Sequence, residues 1–179
     1  MKRMMVMVAV AVLLGAPSLG VLAQGTDFSG TWNLDRDSSE LPQGRGGGRG
    51  RGGRGGGGGR GRGGFGGLMA DTLVISQSAS TVTVEQQIGD QSQTIEYALD
   101  GSETSVAQGR GTLTVTASWD GAALVTEGTQ SIETGRGNFT LDITERRTLS
   151  SDGQTLTIEA TRSTPRGDQS FRLVYQKAG

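Results

Sequence analysis

The stretch GTLTVTASWDG, residues 111–121, alternates polar and apolar side chains and ends in an Asp-Gly pair. One face of this stretch carries the apolar side chains of Leu113, Val115, Ala117 and Trp119. A period of two is that of a β-strand, and Asp-Gly supplies the positive φ of a type I′ hairpin turn. The stretch therefore predicts a strand with one dry and one wet face, as in an antiparallel sheet that covers a core.

The same pattern recurs on both sides of this stretch. Asp-Gly pairs stand at 100–101 and 152–153, and Gly89-Asp90 suits a type II′ turn. Ten segments read as strands: 28–35, 73–76, 81–88, 93–99, 103–108, 111–119, 123–132, 138–149, 155–162 and 170–175. Short turns join them in order, and closing such a meander removes exposed strand edges. The sequence predicts an all-β fold, an antiparallel up-and-down β-barrel of eight to ten strands.

The first residues have the order of a secretory signal peptide. Lys2 and Arg3 precede an apolar run at 4–14, and Val21 and Ala23 suit signal peptidase. The apolar run is shorter than the ~20 residues that span a bilayer as a helix. We therefore expect cleavage after Ala23, a periplasmic or secreted protein, and no transmembrane segment in what remains.

The chain contains neither cysteine nor histidine, and this limits the kinds of functional site that it can form. Without cysteine we expect no disulfide and no lipid anchor, so stability depends on a hydrophobic core. Without histidine the commonest general base and metal ligand are missing. Glu145-Arg146-Arg147 and Asp168 show no catalytic spacing and are expected on solvated faces and in hairpin ion pairs. The sequence predicts a non-enzymatic protein with no catalytic residues, no cofactor and no metal site.

Residues 44–67 form a low-complexity insert of seventeen glycines, six arginines and Phe65. Such a segment has no apolar surface to offset its ordering entropy, so we expect a disordered loop between the first two strands. The closure cost of a loop grows slowly with its length, so a barrel can tolerate this insert. The predicted organisation is a signal peptide (1–23), a first strand with its lead-in (24–43), the insert (44–67) and the remaining barrel (68–179).

Three short motifs stand out: Gly30-Thr31-Trp32, Trp119-Asp120-Gly121 and the ending 173–177. They resemble motifs of the lipocalin and fatty-acid-binding branches of the calycin superfamily. Gly30-Thr31-Trp32 is similar to the Gly-x-Trp signature of lipocalins, and 28–35 resembles the opening of small exported bacterial lipocalin-like domains. Trp119-Asp120-Gly121, the ending 173–177 and the ten-strand count look more like the fatty-acid-binding branch. The resemblance implies a barrel that binds a hydrophobic small molecule.

The binding chemistry of the resembled branch is not fully present. That branch holds a ligand carboxylate with an Arg-x-Tyr pair on the last strand. Tyr175 fits the tyrosine, but Leu173 takes the arginine's place, and Arg172 falls on the opposite face by strand alternation. The Thr-Asp-Tyr lipocalin motif is also missing. The resemblance therefore implies a shared fold without this carboxylate clamp.

Two groups of residues are candidates for binding. The first consists of aromatic residues that line a cavity or, alternatively, fill a packed core: Tyr97, Trp119, Phe139, Phe171 and Tyr175. Trp32 is expected to plug the barrel base. The second is a basic mouth, because the connections of a meander alternate between its two ends. This sorting places the following arginines at one end: Arg45, Arg49, Arg51, Arg54, Arg60, Arg62, Arg110, Arg136 and Arg166.

Two functions remain open, and a third ranks below them. The first is an exported lipocalin-like protein that binds a hydrophobic or amphipathic, anionic small ligand. The second is an interaction module with a packed barrel, whose basic arm contacts anionic lipid or envelope polyanions. An enzyme that uses carboxylates with Tyr97 or Tyr175 ranks last. Export, and the single aromatic residue among the arginines, argue against nucleic acid. The insert could equally be a tolerated insertion without a ligand.

Overall fold

The computed structural model of the protein describes residues 25–40, 69–109, 111–135, 137–164 and 167–179. Ten strands make up the fold: β1 (Gly30–Glu40), β2 (Thr72–Gln77), β3 (Thr81–Ile88), β4 (Gln91–Ala98), β5 (Thr104–Gln108), β6 (Gly111–Asp120), β7 (Ala123–Thr134), β8 (Gly137–Leu149), β9 (Thr155–Thr164) and β10 (Gly167–Lys177). They form one antiparallel sheet in the order β4-β3-β2-β1-β10-β9-β8-β7-β6-β5. The predicted all-β, up-and-down topology is confirmed.

Pairing of the first and last strands closes the sheet into a barrel. Trp32 lies opposite Lys177, and Leu34 lies opposite Tyr175. Within the described strands, the seam that remains runs between β4 and β5. Two side-chain hydrogen bonds bridge it, from Gln93 Nε2 to the Ala107 carbonyl (3.0 Å) and from Thr104 Oγ1 to the Glu96 carbonyl (2.9 Å). The barrel is therefore nearly closed.

The Asp-Gly turns place glycine at positive φ, as the sequence predicts, but the type I′ prediction was wrong. A type I′ turn needs positive φ at both central residues, and none of the described non-glycine residues has it. Gly101 and Gly153 have φ of 81° and 67°, in the left-handed region that glycine adopts without steric cost. The preceding carboxylates accept backbone N–H groups two residues on, Asp100 from Ser102 (2.9 Å) and Asp152 from Gln154 (3.0 Å). These local hydrogen bonds hold each strand reversal at one end of the barrel.

The two ends of the barrel can be told apart by their connections. We call the end at which β1 leads to β2 the mouth, and the opposite end the base. The β3–β4, β5–β6, β7–β8 and β9–β10 connections also lie at the mouth, whereas the Asp-Gly turns lie at the base. The signal peptide predicted at 1–23 and the disordered loop predicted at 44–67 fall outside the described residues. None of the described residues forms a helix long and apolar enough to cross a membrane.

Aromatic residues fill the base. Trp32 is fully buried, and its Nε1 donates a hydrogen bond to the Phe28 carbonyl at 3.0 Å. The Phe28 ring stacks on Trp119 with centroids 5.9 Å apart, and Lys177 Nζ lies 5.3 Å from the Trp32 ring centroid. The position expected for Trp32, at the barrel base, agrees with this packing.

Candidate ligand site in the barrel interior

A band of buried polar side chains crosses the barrel between base and mouth. Alternation along each strand turns every second residue inward. Most of these inward positions are apolar, but eight of the described ones hold charged or polar groups. We call this set the polar layer; its members are Gln86, Tyr97, Thr126, Gln130, Glu145, Arg147, Arg162 and Tyr175. All of them are at least nine-tenths buried.

Arg147 donates hydrogen bonds to three side chains of the polar layer. Its Nη2 donates to Glu145 Oε2 at 2.5 Å and to the Tyr97 hydroxyl at 3.3 Å, and its Nη1 donates to Thr126 Oγ1 at 3.4 Å. Its guanidinium carbon lies 5.1 Å from the Tyr97 ring centroid. Only 2% of the Arg147 side chain and 7% of the Glu145 side chain are exposed. Moving both charged groups out of water has a free-energy penalty that can exceed their mutual attraction. A salt bridge this deeply buried is therefore a poor source of stability.

Arg162 is the second buried guanidinium. It lies on β9 opposite Ile143, while Glu145 lies opposite Ala160, so Arg162 is diagonal to Glu145 and nearer the mouth. Burial lowers the pKa of Arg162, and the negative charge of Glu145 works against this effect. Because an arginine keeps its proton throughout the physiological range, both guanidiniums are charged.

The polar layer carries a net positive charge. The buried charged residues of the described chain are one carboxylate, Glu145, and two guanidiniums, Arg147 and Arg162, which sum to +1. The layer also has hydrogen-bonding capacity that the described protein does not use, at Gln86 Oε1, Gln130 Oε1 and Arg147 Nε. A buried polar group left without a partner costs about 1–3 kcal/mol. The positive charge and the Arg147 Nε donor suit a negatively charged group, whereas the two glutamine oxygens accept hydrogen bonds and suit a donor on a ligand or a water.

The two tyrosines stay neutral inside the barrel. Burial raises the pKa of Tyr175, and the nearby Glu145 carboxylate raises it further. Burial also raises the pKa of Tyr97, although the Arg147 charge opposes this shift. The Tyr175 hydroxyl donates to the Ala70 carbonyl at 3.0 Å and so ties the interior to the chain that leads into β2. Both hydroxyls are hydrogen-bond donors at neutral pH.

A small cavity adjoins the polar layer. It is lined by Leu73, Val84, Gln86, Glu145, Arg147, Ile158, Ala160, Phe171, Leu173 and Tyr175. Its volume is about 10 Å³, measured as the space open to the centre of a water molecule. This holds about one water, whereas pockets for drug-sized ligands have volumes of about 300–1,000 Å³. Anything larger must displace side chains or lie nearer the mouth.

The rim above the polar layer is apolar and partly open to water. Four inward-facing side chains near the mouth are half-buried: Ile88, Val106, Ile132 and Leu141. Phe139, which pairs with Ile132 on the neighbouring strand, is 46% exposed. From base to mouth, the interior therefore changes from dry and aromatic to polar and positive, and then to apolar and wetted.

The five predicted aromatic residues fall into four places. Phe171 and Tyr175 lie on the cavity wall, and Tyr97 lies in the polar layer beside Arg147. Trp119 lies at the base against Phe28, and Phe139 lies on the rim. Their contact with a ligand stays a prediction. The predicted basic mouth falls outside the described residues, and this applies to Arg45, Arg49, Arg51, Arg54, Arg60, Arg62, Arg110, Arg136 and Arg166.

The prediction that the 145–147 stretch lies on solvated faces was wrong for two of its three residues. Glu145 and Arg147 point inward, and only Arg146 points outward, where it pairs with Asp120 at 2.6 Å. The physical reason is strand alternation, because the buried Ile143 fixes odd-numbered positions of β8 as inward. That signal was present in the sequence, but the charge of the stretch concealed it.

The last strand has no inward-facing arginine, as the sequence predicts, but buried arginines occur on two other strands. Leu173 and Tyr175 are buried while Arg172 is exposed, so β10 contributes no inward arginine. The interior guanidiniums come instead from Arg147 on β8 and Arg162 on β9. The barrel thus holds buried arginines without the Arg-x-Tyr arrangement on its last strand.

Comparison with known proteins gives a structural likeness and no sequence match. No family model matches the chain, and no curated protein matches it. Among solved structures, the chain is similar to zebrafish ileal bile acid-binding protein complexed with cholic acid. The identity is 16% and the TM-score 0.48, over 84% of this chain and 98% of that chain. The number, order and near-closure of the described strands themselves establish the fold. It is calycin-like.

Proposed function

We propose that the protein is an exported binding protein for an amphipathic, anionic small molecule. The anionic head would lie on the polar layer, and the apolar part would lie against the rim. The observation that carries this proposal is the net positive charge buried in mid-barrel, from Arg147 and Arg162 against Glu145. A predicted signal peptide at 1–23 supports the exported location.

A purely structural role accounts poorly for the polar layer. Replacing a buried ion pair with apolar side chains of similar volume is often neutral or stabilising. The unused hydrogen-bonding atoms on Gln86 and Gln130 add a further cost. Buried polar groups that lower stability are expected where a protein binds or reacts. The polar layer therefore fits a ligand site better than a packing solution.

Binding would proceed from the mouth. The cavity of about 10 Å³ does not admit an amphiphile as it stands, so side chains must move. Arg162 is suited to this movement, because it lies nearer the mouth than Arg147 and has a long, flexible stem. Half-buried residues such as Ile132 and Leu141 would cover the ligand's apolar part, at about 25 cal/mol per Å² of apolar surface removed from water. The arginines of 44–67 would raise the local concentration of anions.

A packed barrel without a ligand is the second candidate. The observation that favours it is the same small cavity, which has room for about one water. In that case contact with anionic lipid or an envelope polyanion would belong to the basic insert, residues 44–67.

Native mass spectrometry of the mature protein (residues 24–179) from the exporting host distinguishes these candidates. It would be compared with a variant that lacks 44–67, with Arg162→Gln, and with Arg172→Gln as an exposed control. We expect a bound amphiphile on the wild type, the deletion variant and the control, and its loss from Arg162→Gln. Loss from the deletion variant alone would place capture in the insert. Empty protein in every form, even after addition of decanoate, would favour the packed barrel.

A further inference from the structure

We propose that Glu145 sets the charge of the accepted ligand and restricts its head group to a single negative charge. This inference rests on the proposed function, since it concerns the same polar layer. Glu145 would act as an internal counter-ion that neutralises one of the two guanidiniums before any ligand arrives.

The geometry places Glu145 between both cations. Its Oε2 accepts from Arg147 Nη2 at 2.5 Å, and its diagonal neighbour on β9 is Arg162. The electrostatic effect of Glu145 on the pKa of Arg162 agrees with this proximity. The carboxylate therefore lowers the positive charge that both guanidiniums present to the mouth.

Charge balance then selects the ligand. Arg147 is already engaged by Glu145, Tyr97 and Thr126, and the layer as a whole carries +1. A singly charged head group brings the layer to neutrality. A doubly charged head group leaves one buried negative charge uncompensated, which is strongly unfavourable away from water. Monoanions such as carboxylates or sulfonates are thus accepted, and dianions such as phosphate monoesters are rejected.

Calorimetry on variants of the mature protein that differ in buried charge, from 0 to +2, tests the inference. The probes are decanoate and decyl phosphate at pH 8.5, which have equal tails and carry one and about two negative charges. Wild type should prefer decanoate. Glu145→Gln raises the interior charge to +2 and should shift the affinity ratio toward decyl phosphate by roughly ten- to a hundredfold. Glu127→Gln, on the exposed face of β7, should leave the ratio unchanged.

Two further variants keep the test decisive if Glu145→Gln does not fold. Glu145→Gln with Arg147→Gln restores a charge of +1, so the affinity ratio should return to within about threefold of wild type. Arg162→Gln gives zero and should weaken both probes. If wild type binds decanoate but neither Glu145 variant has the predicted affinity ratio, the inference fails and the proposed function stands. If wild type binds neither probe, both fail.

Discussion

The base and the mouth half of the barrel share the same strands but differ in what fills them. At the base, Phe28, Trp32 and Leu124 are fully buried in aromatic and apolar packing. Toward the mouth, three inward positions of β8 and β9 hold charged residues: Arg147, which lies opposite Leu124, then Glu145, and farther on Arg162. The difference shows that alternation decides which side chains point inward, while the residue types at those positions decide whether a part of the interior is apolar and packed or polar and charged.

If this division is real, substitutions at the two ends should have different effects. Removing apolar volume from the base should lower the free energy of unfolding and leave ligand preference intact. Changing a charge in the polar layer should alter both. Changing a charge on the outer surface should do little to either.

Trp32→Ala should have the largest effect on stability, a loss of about 4 kcal/mol in the free energy of unfolding, because a fully buried indole leaves a cavity. Urea unfolding followed by far-UV circular dichroism measures it. Phe139→Ala on the rim is the matched control and should cost under about 1 kcal/mol, since the ring is 46% exposed. Equal costs at the two sites would remove the contrast between base and mouth.

Glu145→Gln should lower the free energy of unfolding by about 3 kcal/mol, because it leaves the buried Arg147 charge without its counter-ion. The double variant with Arg147→Gln should cost less than Glu145→Gln alone, since no new uncompensated charge remains. A double-mutant cycle from urea unfolding gives the coupling. Simple addition of the two single costs would mean that the pair is not energetically coupled.

High pH should unfold the protein through its tyrosines. The chain has two, Tyr97 and Tyr175, and burial raises the pKa of both above the unfolded value of about 10. A raised pKa in the folded state means that the stability is fully present below pH 10 and is lost as pH rises above it. Absorbance at 295 nm should stay low until circular dichroism reports unfolding. Tyr175→Phe should make the alkaline loss shallower. Full ionisation near pH 10 in a folded barrel would contradict their burial.

The smallest effect is expected outside the barrel. Asp120→Asn removes the surface pair with Arg146, whose side chains are 70% and 40% exposed, and should cost no more than about 1 kcal/mol. The cost should shrink further in 1 M salt, because exposed charges are screened. Urea unfolding at low and high salt measures this cost, which is then compared with the cost of breaking the buried Glu145–Arg147 pair.

The sequence was sufficient for the strands because their signals are local. Alternation and Asp-Gly pairs placed all ten, including the short β5. The first strand was predicted to end at Asp35, whereas β1 continues to Glu40 by pairing with β10 after a register shift. That extension depends on pairing between Glu40 and Arg172, which are 132 residues apart in sequence, and local patterns do not specify such a pairing.

The polar layer was missed for a related reason. Charged residues usually lie in water, and this expectation outweighed the alternation that places Glu145 and Arg147 in phase with Ile143. Arg162 has the same relation to Ile158 and Ala160 on β9. Which inward residues meet depends on the register between β8 and β9, and register is set by pairing across the whole sheet.

The most direct test of the account compares two amphiphiles with the same tail and opposite charge. Calorimetry of the mature protein would measure the affinities of decanoate and decyltrimethylammonium, both below their micellar concentrations. The account predicts binding of decanoate at least about tenfold tighter, because the polar layer carries +1. Equal affinities, tighter binding of the cation, or no binding of decanoate would contradict it.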